Sequence, residues 1–202
     1  MIRSIRRLAS LGLAVAALAL SPGASAADSA GTFIQTRQTQ VTSLLRQAPG
    51  SQRDKQVAAV LDGMIDYDEL AKRSLAKHWG DLSDAQRKDF TETLKRVVQK
   101  SYEKNLKNIL EYRVDYLGEE PAPEGVVVHT RASSTATKEE PIDVDYSLLH
   151  AQSDWKVFDI VTAGSSLVNN YRSQFNRVIQ KDGFDALLKK MKDRLAKGQQ
   201  PA

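Results

Sequence analysis

The 202-residue chain contains no cysteine and only three histidines, and these shortages exclude several kinds of chemistry. Without cysteine there is no disulfide framework, no thiolate zinc site and no cysteine nucleophile. His78, His129 and His150 are widely separated and show no His-x-x-x-His or carboxylate spacing, so we expect no metal site. The chain also lacks a glycine-rich phosphate-binding loop, and we expect no cofactor.

Two segments resemble catalytic motifs only in part. Residues 163–166 follow a predicted strand, but they lack the second glycine of the Gly-x-Ser-x-Gly nucleophile elbow. Ser165 is better interpreted as the N-cap of the next helix. Asp66, Asp68 and Glu69 resemble an acid/base cluster, yet they occupy the first turn of a predicted helix, where the helix dipole favours negative charge. We therefore predict no catalytic residue and no enzymatic activity.

The first 26 residues have the layout of a secretory signal peptide. Three arginines precede the uncharged apolar run 8–20, and Ala24-Ser25-Ala26 forms a small-x-small cleavage pattern. This run is shorter than the roughly 20 residues that a membrane-spanning helix needs. We expect cleavage after Ala26, a single domain over residues 27–202, and a location in the bacterial periplasm.

Cleavage would also change the charge of the protein. The full chain has 29 basic and 25 acidic side chains, and removal of three arginines leaves 26 basic ones. A net charge of about +1 does not support binding to nucleic acid, which requires a concentrated basic face.

The spacing of apolar residues predicts helices, then strands, then helices. A period near 3.6 favours helices at 32–47, 51–64 and 66–79, followed by a long helix that Ser83 opens with Gln86 as its capping-box partner. A period of two predicts strands at 112–116, 126–132, 142–148 and 155–161, joined as an antiparallel meander. Helices return at 165–180 and 184–196. The predicted class is α+β, with six to seven helices wrapped around a curved four-stranded antiparallel sheet.

Large side chains occupy the inward positions of the long helix and of the sheet. Periodicity alone favours an ordinary packed core, but it does not separate such a core from the lining of a cavity. Buried tyrosines need a partner for the hydroxyl group, which would suit a cavity with a wet mouth. The pattern leaves both alternatives open.

Four segments carry recognisable motifs: residues 66–71, 157–161, 166–175 with Tyr171-Arg172-Ser173-x-Phe175, and 183–188 with Gly183-Phe184-Asp185-x-Leu187. Together they resemble the MlaC, or toluene-tolerance, family of periplasmic phospholipid-binding proteins. These segments occur in the family's order, and the resemblance extends over essentially the whole chain after residue 26.

The resemblance implies a soluble carrier whose apolar pocket holds phospholipid tails. Such a carrier passes lipid between an outer-membrane lipoprotein–porin complex and an inner-membrane ABC transporter with a ring-forming subunit, and it thereby maintains outer-membrane lipid asymmetry. Phospholipid is then the expected ligand, and the protein is expected to be a monomer. We predict a lipid-binding lining of apolar inward residues and one head-group candidate, Arg172. The lining consists of Leu94, Val98, Tyr102, Tyr112, Val114, Val128, Val144, Tyr146, Phe158, Ile160, Leu167, Tyr171 and Phe175.

Other hypotheses remain. The cargo could be a hopanoid or another rigid amphiphile. Alternatively, a non-enzymatic periplasmic adaptor or chaperone would have a solid core and bind no lipid, and a hydrolase on a similar fold would need a converging acid/base set.

Overall fold

The computed structural model describes residues 29–151 and 154–197, except for the side chains of 104–107. The predicted signal peptide, residues 1–26, lies outside the described residues. The protein is an α+β structure, as predicted, with helices before and after an antiparallel sheet. No helix in the described part of the chain combines the length and apolar character needed to span a bilayer.

Six α-helices are present among the described residues, and two short 3-10 segments extend α3 and α4, at Ala76–His78 and Leu106–Glu111. The bounds of the α-helices are α1 Ala30–Leu45, α2 Ser51–Met64, α3 Tyr67–Leu75, α4 Asp84–Asn105, α5 Leu167–Asp182 and α6 Phe184–Ala196.

The helix starts follow from local side-chain chemistry. Ser83 and Gln86 form the predicted capping box: the Ser83 N–H donates to Gln86 Oε1 at 3.0 Å, and the Gln86 N–H donates to Ser83 Oγ at 3.3 Å. Asp66 caps α3 by accepting the Glu69 N–H at 2.9 Å. The predicted helix 66–79 is divided because Ala76 has a positive φ of 49°, which ends the α-helix.

The sheet has five strands in the order β1-β2-β3-β4-β5, all antiparallel to their neighbours. The prediction of four strands is therefore wrong, because it omits the short strand β5. A two-residue strand is too short to give an alternating pattern, which explains why the sequence did not indicate it. The strands are β1 Tyr112–Ala122, β2 Gly125–Ser134, β3 Ile142–Ala151, β4 Asp154–Thr162 and β5 Ser165–Ser166.

The start of α5 also differs from the prediction. Ser165 pairs with Thr162 in the sheet, so the N-cap is Ser166 and not Ser165. Ser166 Oγ accepts the Asn169 N–H at 3.0 Å and donates to Asp159 Oδ2 at 2.6 Å. The cap thus fixes α5 to the end of β4.

Buried apolar side chains form two main clusters. The helix cluster joins α3, α4, α5 and α6 around Phe90, whose ring meets Phe175 edge-on at 5.5 Å. The sheet cluster joins α1 and the end of α2 to one face of the sheet. Its buried members are Ala30, Phe33, Ile34, Met64, Val128, Leu148 and Val157. Ile65 packs against both clusters and marks where they meet.

Candidate functional site

Most of the predicted sheet residues share one face of the sheet. Residues directly opposite each other on neighbouring strands point to the same side, as do residues two apart on one strand. Val114 lies opposite Ala132, and Val144 lies opposite Thr130. The same register gives one inner face that contains all but one of the predicted sheet positions: Tyr112, Val114, Val128, Val144, Tyr146 and Ile160.

The inner face is covered unevenly. Helix α1 packs over its centre, where Val128 is fully buried. The cover is thinner at the ends of the face: Val144 on β3 is half-buried, and on β1 Val114 is 37% exposed and Tyr116, which lies against Gly31 of α1, is 40% exposed. An apolar surface that is only partly covered is suited to holding an apolar ligand.

Phe158 is the predicted sheet residue that the register does not place on this face. A β-bulge in β4 leaves it without a partner, because Ser147 pairs with Asp159 and Leu148 with Val157. Its ring lies 4.1 Å from the guanidinium carbon of Arg73 in a cation–π contact.

The predicted residues from the helices belong to the other cluster. Leu94, Val98, Tyr171 and Phe175 are buried within the helix cluster. Tyr171 stacks on Phe175 with ring centroids 5.2 Å apart, and burial raises the pKa of Tyr171 to about 12. Tyr102 and Leu167 are partly buried against this cluster. The structure therefore divides the predicted lining into a sheet half and a helix half.

A polar cluster that the sequence analysis missed lies between α2, α3 and α4. Asp62 Oδ1 accepts hydrogen bonds from Tyr102 Oη at 2.7 Å and Tyr67 Oη at 2.8 Å. Asp62 Oδ2 accepts one from Gln99 Nε2 at 2.6 Å and lies 3.6 Å from Lys95 Nζ. The available signal was an acidic residue between the apolar Leu61 and Met64 of an amphipathic helix.

The electrostatics of this cluster favour a charged Asp62. Burial alone would favour the neutral carboxyl group, but the donated hydrogen bonds and Lys95 outweigh it and lower the pKa of Asp62. Burial and the neighbouring carboxylate raise the pKa of Tyr67 and Tyr102. The tyrosines therefore remain protonated donors, and the hydroxyl of Tyr102 has its partner in Asp62.

Arg172, the predicted head-group residue, lies on the exposed side of α5. Its Nε donates to the Arg73 carbonyl oxygen at 3.1 Å, and its Nη1 donates to Asn169 Oδ1 at 3.2 Å. The first of these bonds ties α5 to the end of α3, and the second lies within α5. The guanidinium thus has a structural role.

A cavity of about 360 Å³ opens between α3, the following 3-10 segment and the start of α4. Most of its lining residues are charged or polar, but the wall that they expose is mainly apolar, and none of the predicted lipid-lining residues contributes to it. The lining residues are Asp68, Trp79, Arg87, Lys88, Thr91 and Glu92.

Three of the candidates for catalysis or metal binding have structural partners. His78 bonds to Asn176 Oδ1 at 2.9 Å, and Asp66 caps α3. Glu69 Oε1 accepts from Arg73 Nε at 2.8 Å. Within the described ranges, no group of three histidines or carboxylates is placed to hold a metal ion.

His129 on the outer face of the sheet gives a testable pH dependence. Its Nδ1 lies 2.9 Å from Asp145 Oδ1 and its Nε2 lies 3.5 Å from Glu120, and the hydrogen bond to Asp145 raises the pKa of His129 above 6.5. A histidine whose pKa is higher in the folded than in the unfolded protein stabilises the fold. This stabilisation is complete when the pH is below the pKa of the unfolded state, and it is lost as the pH rises through the pKa of the folded state. We expect His129→Gln to lower the free energy of unfolding more at about pH 5.5 than at about pH 8.5, measured by urea titration.

The control for this prediction is Asp145→Asn, which removes the charged partner and leaves His129 in place. In that background, His129→Gln should show a much smaller difference between the two pH values. An equal loss of stability at both pH values in the wild-type background would contradict the prediction.

These features define an α+β protein that packs helices on an antiparallel sheet with one partly open apolar face. The chain belongs to the MlaC protein family, whose model matches residues 35–193, so the resemblance stated above is confirmed. A search of curated proteins finds no match to the chain.

A solved structure shares the fold. It is the phospholipid-binding protein from Ralstonia solanacearum, determined in complex with a phospholipid. The two proteins are 22% identical, the match covers 84% of this chain and 98% of that one, and the TM-score is 0.73.

Proposed function

We propose that the protein is a periplasmic phospholipid carrier that moves lipid between an outer-membrane complex and an inner-membrane ABC transporter, and so maintains outer-membrane lipid asymmetry. The observation that carries the proposal is the apolar inner face of the sheet, which is buried under α1 at its centre and only partly covered at its ends. Membership of the MlaC family supports it, and so does the phospholipid bound to the Ralstonia protein of the same fold.

The energetics of lipid transfer explain what such a carrier must provide. Two acyl chains contain on the order of 30 methylene groups, and each contributes about 0.8 kcal/mol when it leaves water. The total, roughly 20–25 kcal/mol, prevents free diffusion of phospholipid through an aqueous compartment. The carrier has to provide most of this free energy through contacts between the tails and its own apolar surface, whereas the head group can stay in water.

Lipid tails would enter between the helix cluster and the sheet cluster. The two clusters meet at Ile65, and the predicted lining residues lie on both sides of this boundary. Separation of the clusters would bring Leu94, Val98 and Tyr171 into contact with tails that already lie on the inner face of the sheet. The Asp62 cluster would resist this movement, because it bonds α2, whose end belongs to the sheet cluster, to side chains of α4 in the helix cluster.

No catalytic step is part of the proposal. Asp66 is occupied by a helix cap, Glu69 by an ion pair and His78 by a hydrogen bond, as described above. Release of lipid would then depend on a partner protein that opens the boundary between the clusters.

The test is native mass spectrometry of protein purified from the periplasm without detergent, followed by extraction and identification of lipid. A mass excess equal to one or two phospholipids is expected. Extraction of a rigid polycyclic ligand in place of phospholipid would identify the cargo as hopanoid-like. A ligand-free mass, with no uptake from phospholipid vesicles, would reject the carrier and favour an adaptor.

A further inference from the structure

The carboxylate of Asp62 lies on the sheet side of the boundary between the two clusters. Asp62 belongs to the last turn of α2, and the chain is fixed to β4 where this helix ends. The Asp66 N–H donates to the Val157 carbonyl oxygen at 2.9 Å, and Lys156 Nζ donates to the Gly63 carbonyl oxygen. The sheet therefore holds Asp62 in place.

The partners of this carboxylate lie on the other side of the boundary. Tyr102, Gln99 and Lys95 belong to α4, and Tyr67 is the first residue of α3. Tyr67 is buried in the helix cluster, and Tyr102 packs against that cluster. One side chain thus bonds the end of α2 to two helices of the helix cluster.

The apolar side chains of α2 and α4 pack in different clusters. The buried residues of α4, among them Leu94 and Val98, belong to the helix cluster. Those of α2 are divided between the sheet cluster, which contains Met64, and a third cluster with α1, which contains Val57. The attraction between α2 and α4 therefore comes mainly from the bonds to Asp62.

We propose that Asp62 is a latch that holds the lipid-free protein closed and that breaks when phospholipid enters. The inference rests on the proposed carrier function, because separation of the two clusters for lipid tails would pull the α4 donors away from this carboxylate. The hydrogen bonds to Asp62 are 2.6–2.8 Å long and charge-assisted. They stabilise the closed arrangement and contribute nothing once the helices have separated.

The latch lowers the affinity for lipid. Breaking it consumes part of the free energy that burial of the tails supplies, so the binding-competent arrangement is less populated and the apparent affinity is reduced. A carrier benefits from this opposing contribution, because tails that are held only by favourable contacts dissociate slowly. Closure of the latch then assists release of the lipid.

The first test compares the phospholipid affinity of the wild-type protein with that of Asp62→Asn. Asparagine keeps the shape of the side chain and removes its charge, which weakens the bonds from α4. We expect the delipidated variant to bind a phospholipid with a fluorescent acyl chain about tenfold more tightly, measured in competition with phosphatidylcholine vesicles. The matched control is Glu124→Gln, the same change in the exposed ion pair between Glu124 of the β1–β2 turn and Arg73 of α3. It should leave the affinity within about twofold.

The sign of the effect separates a latch from a residue that only supports the fold. Loss of a purely structural residue would weaken lipid binding, so unchanged or weaker binding by folded Asp62→Asn would overturn the proposal. If this variant does not fold, Tyr102→Phe decides in its place, because it removes one donor and keeps the ring. Absence of lipid binding by the wild-type protein would reject the carrier function, and the latch would then be decided without lipid.

The second test needs no lipid and uses the absence of cysteine from the chain. Val98→Cys introduces a single thiol in the helix cluster, one turn before Tyr102, and Val57→Cys introduces one in the cluster between α1 and α2. Both positions are buried. In the lipid-free protein, Asp62→Asn should accelerate modification of the thiol at position 98 by N-ethylmaleimide about tenfold and leave position 57 unchanged. Equal acceleration at both positions would indicate a general loss of stability, and it would overturn the proposal, as would an unchanged rate at position 98.

Discussion

Val144→Trp is expected to lower the amount of phospholipid bound to the purified protein more than tenfold. Val144 is half-buried on the inner face of β3, opposite Thr130 of β2 and Thr162 of β4. An indole at this position would occupy space that several tail methylenes require. Loss of about three methylene contacts costs roughly 2 kcal/mol, which exceeds a factor of ten in affinity. Lipid per protein, measured by extraction and mass spectrometry, gives the result.

The matched control is Val127→Trp. Val127 lies on the adjacent strand β2 and is also half-buried, but its register partner is Ser147, which places it on the outer face. The control should keep its phospholipid, and both variants should keep the wild-type circular dichroism spectrum. Equal lipid content in the two folded variants would show that tails do not lie on the inner face near Val144.

The local elements follow closely from the sequence. The bounds of α2 and α6 agree with the predicted 51–64 and 184–196, and the Ser83–Gln86 capping box forms as predicted. Strand alternation also assigns the inner face correctly for Val114, Val128 and Val144, because a period of two leaves few alternatives once one face is buried.

The features that the sequence did not reveal depend on contacts between distant segments. The bulge at Phe158 arises from the pairing of β4 with β3, and a β-bulge has no distinctive periodicity. The apolar stripe of α4 was expected to face the same cavity as the sheet, but Leu94 and Val98 pack against the other helices. Periodicity shows which side of an element is apolar and does not show which element covers it.

The Asp62 cluster illustrates the same limit for polar groups. Tyr102 was predicted to line a pocket because it occupies an inward position of the long helix. In the structure its hydroxyl donates to a carboxylate forty residues earlier in the chain. Only the packing of α2 against α4 brings these groups together, so no local spacing could indicate the pair.

Phe90→Ala is expected to lower the free energy of unfolding by about 3–5 kcal/mol. The Phe90 side chain is fully buried in the helix cluster, and its ring contacts Phe175 at 5.5 Å and Phe184 at 6.0 Å. Removal of the ring leaves a cavity among four helices and abolishes both aromatic contacts. Urea unfolding followed by circular dichroism would measure the loss as a lower midpoint at an unchanged slope.

Phe184→Ala is the matched control, because Phe184 contacts the same ring but is only partly buried. Its loss of stability should be clearly smaller, since solvent already reaches the ring and little cavity forms. A small effect of Phe90→Ala, comparable with that of Phe184→Ala, would mean that the helix cluster is loosely packed in solution. The boundary between the two clusters would then need little energy to open, and lipid could enter without a partner protein. A large effect would show that the helix cluster is tightly packed, as a rigid unit that moves away from the sheet has to be.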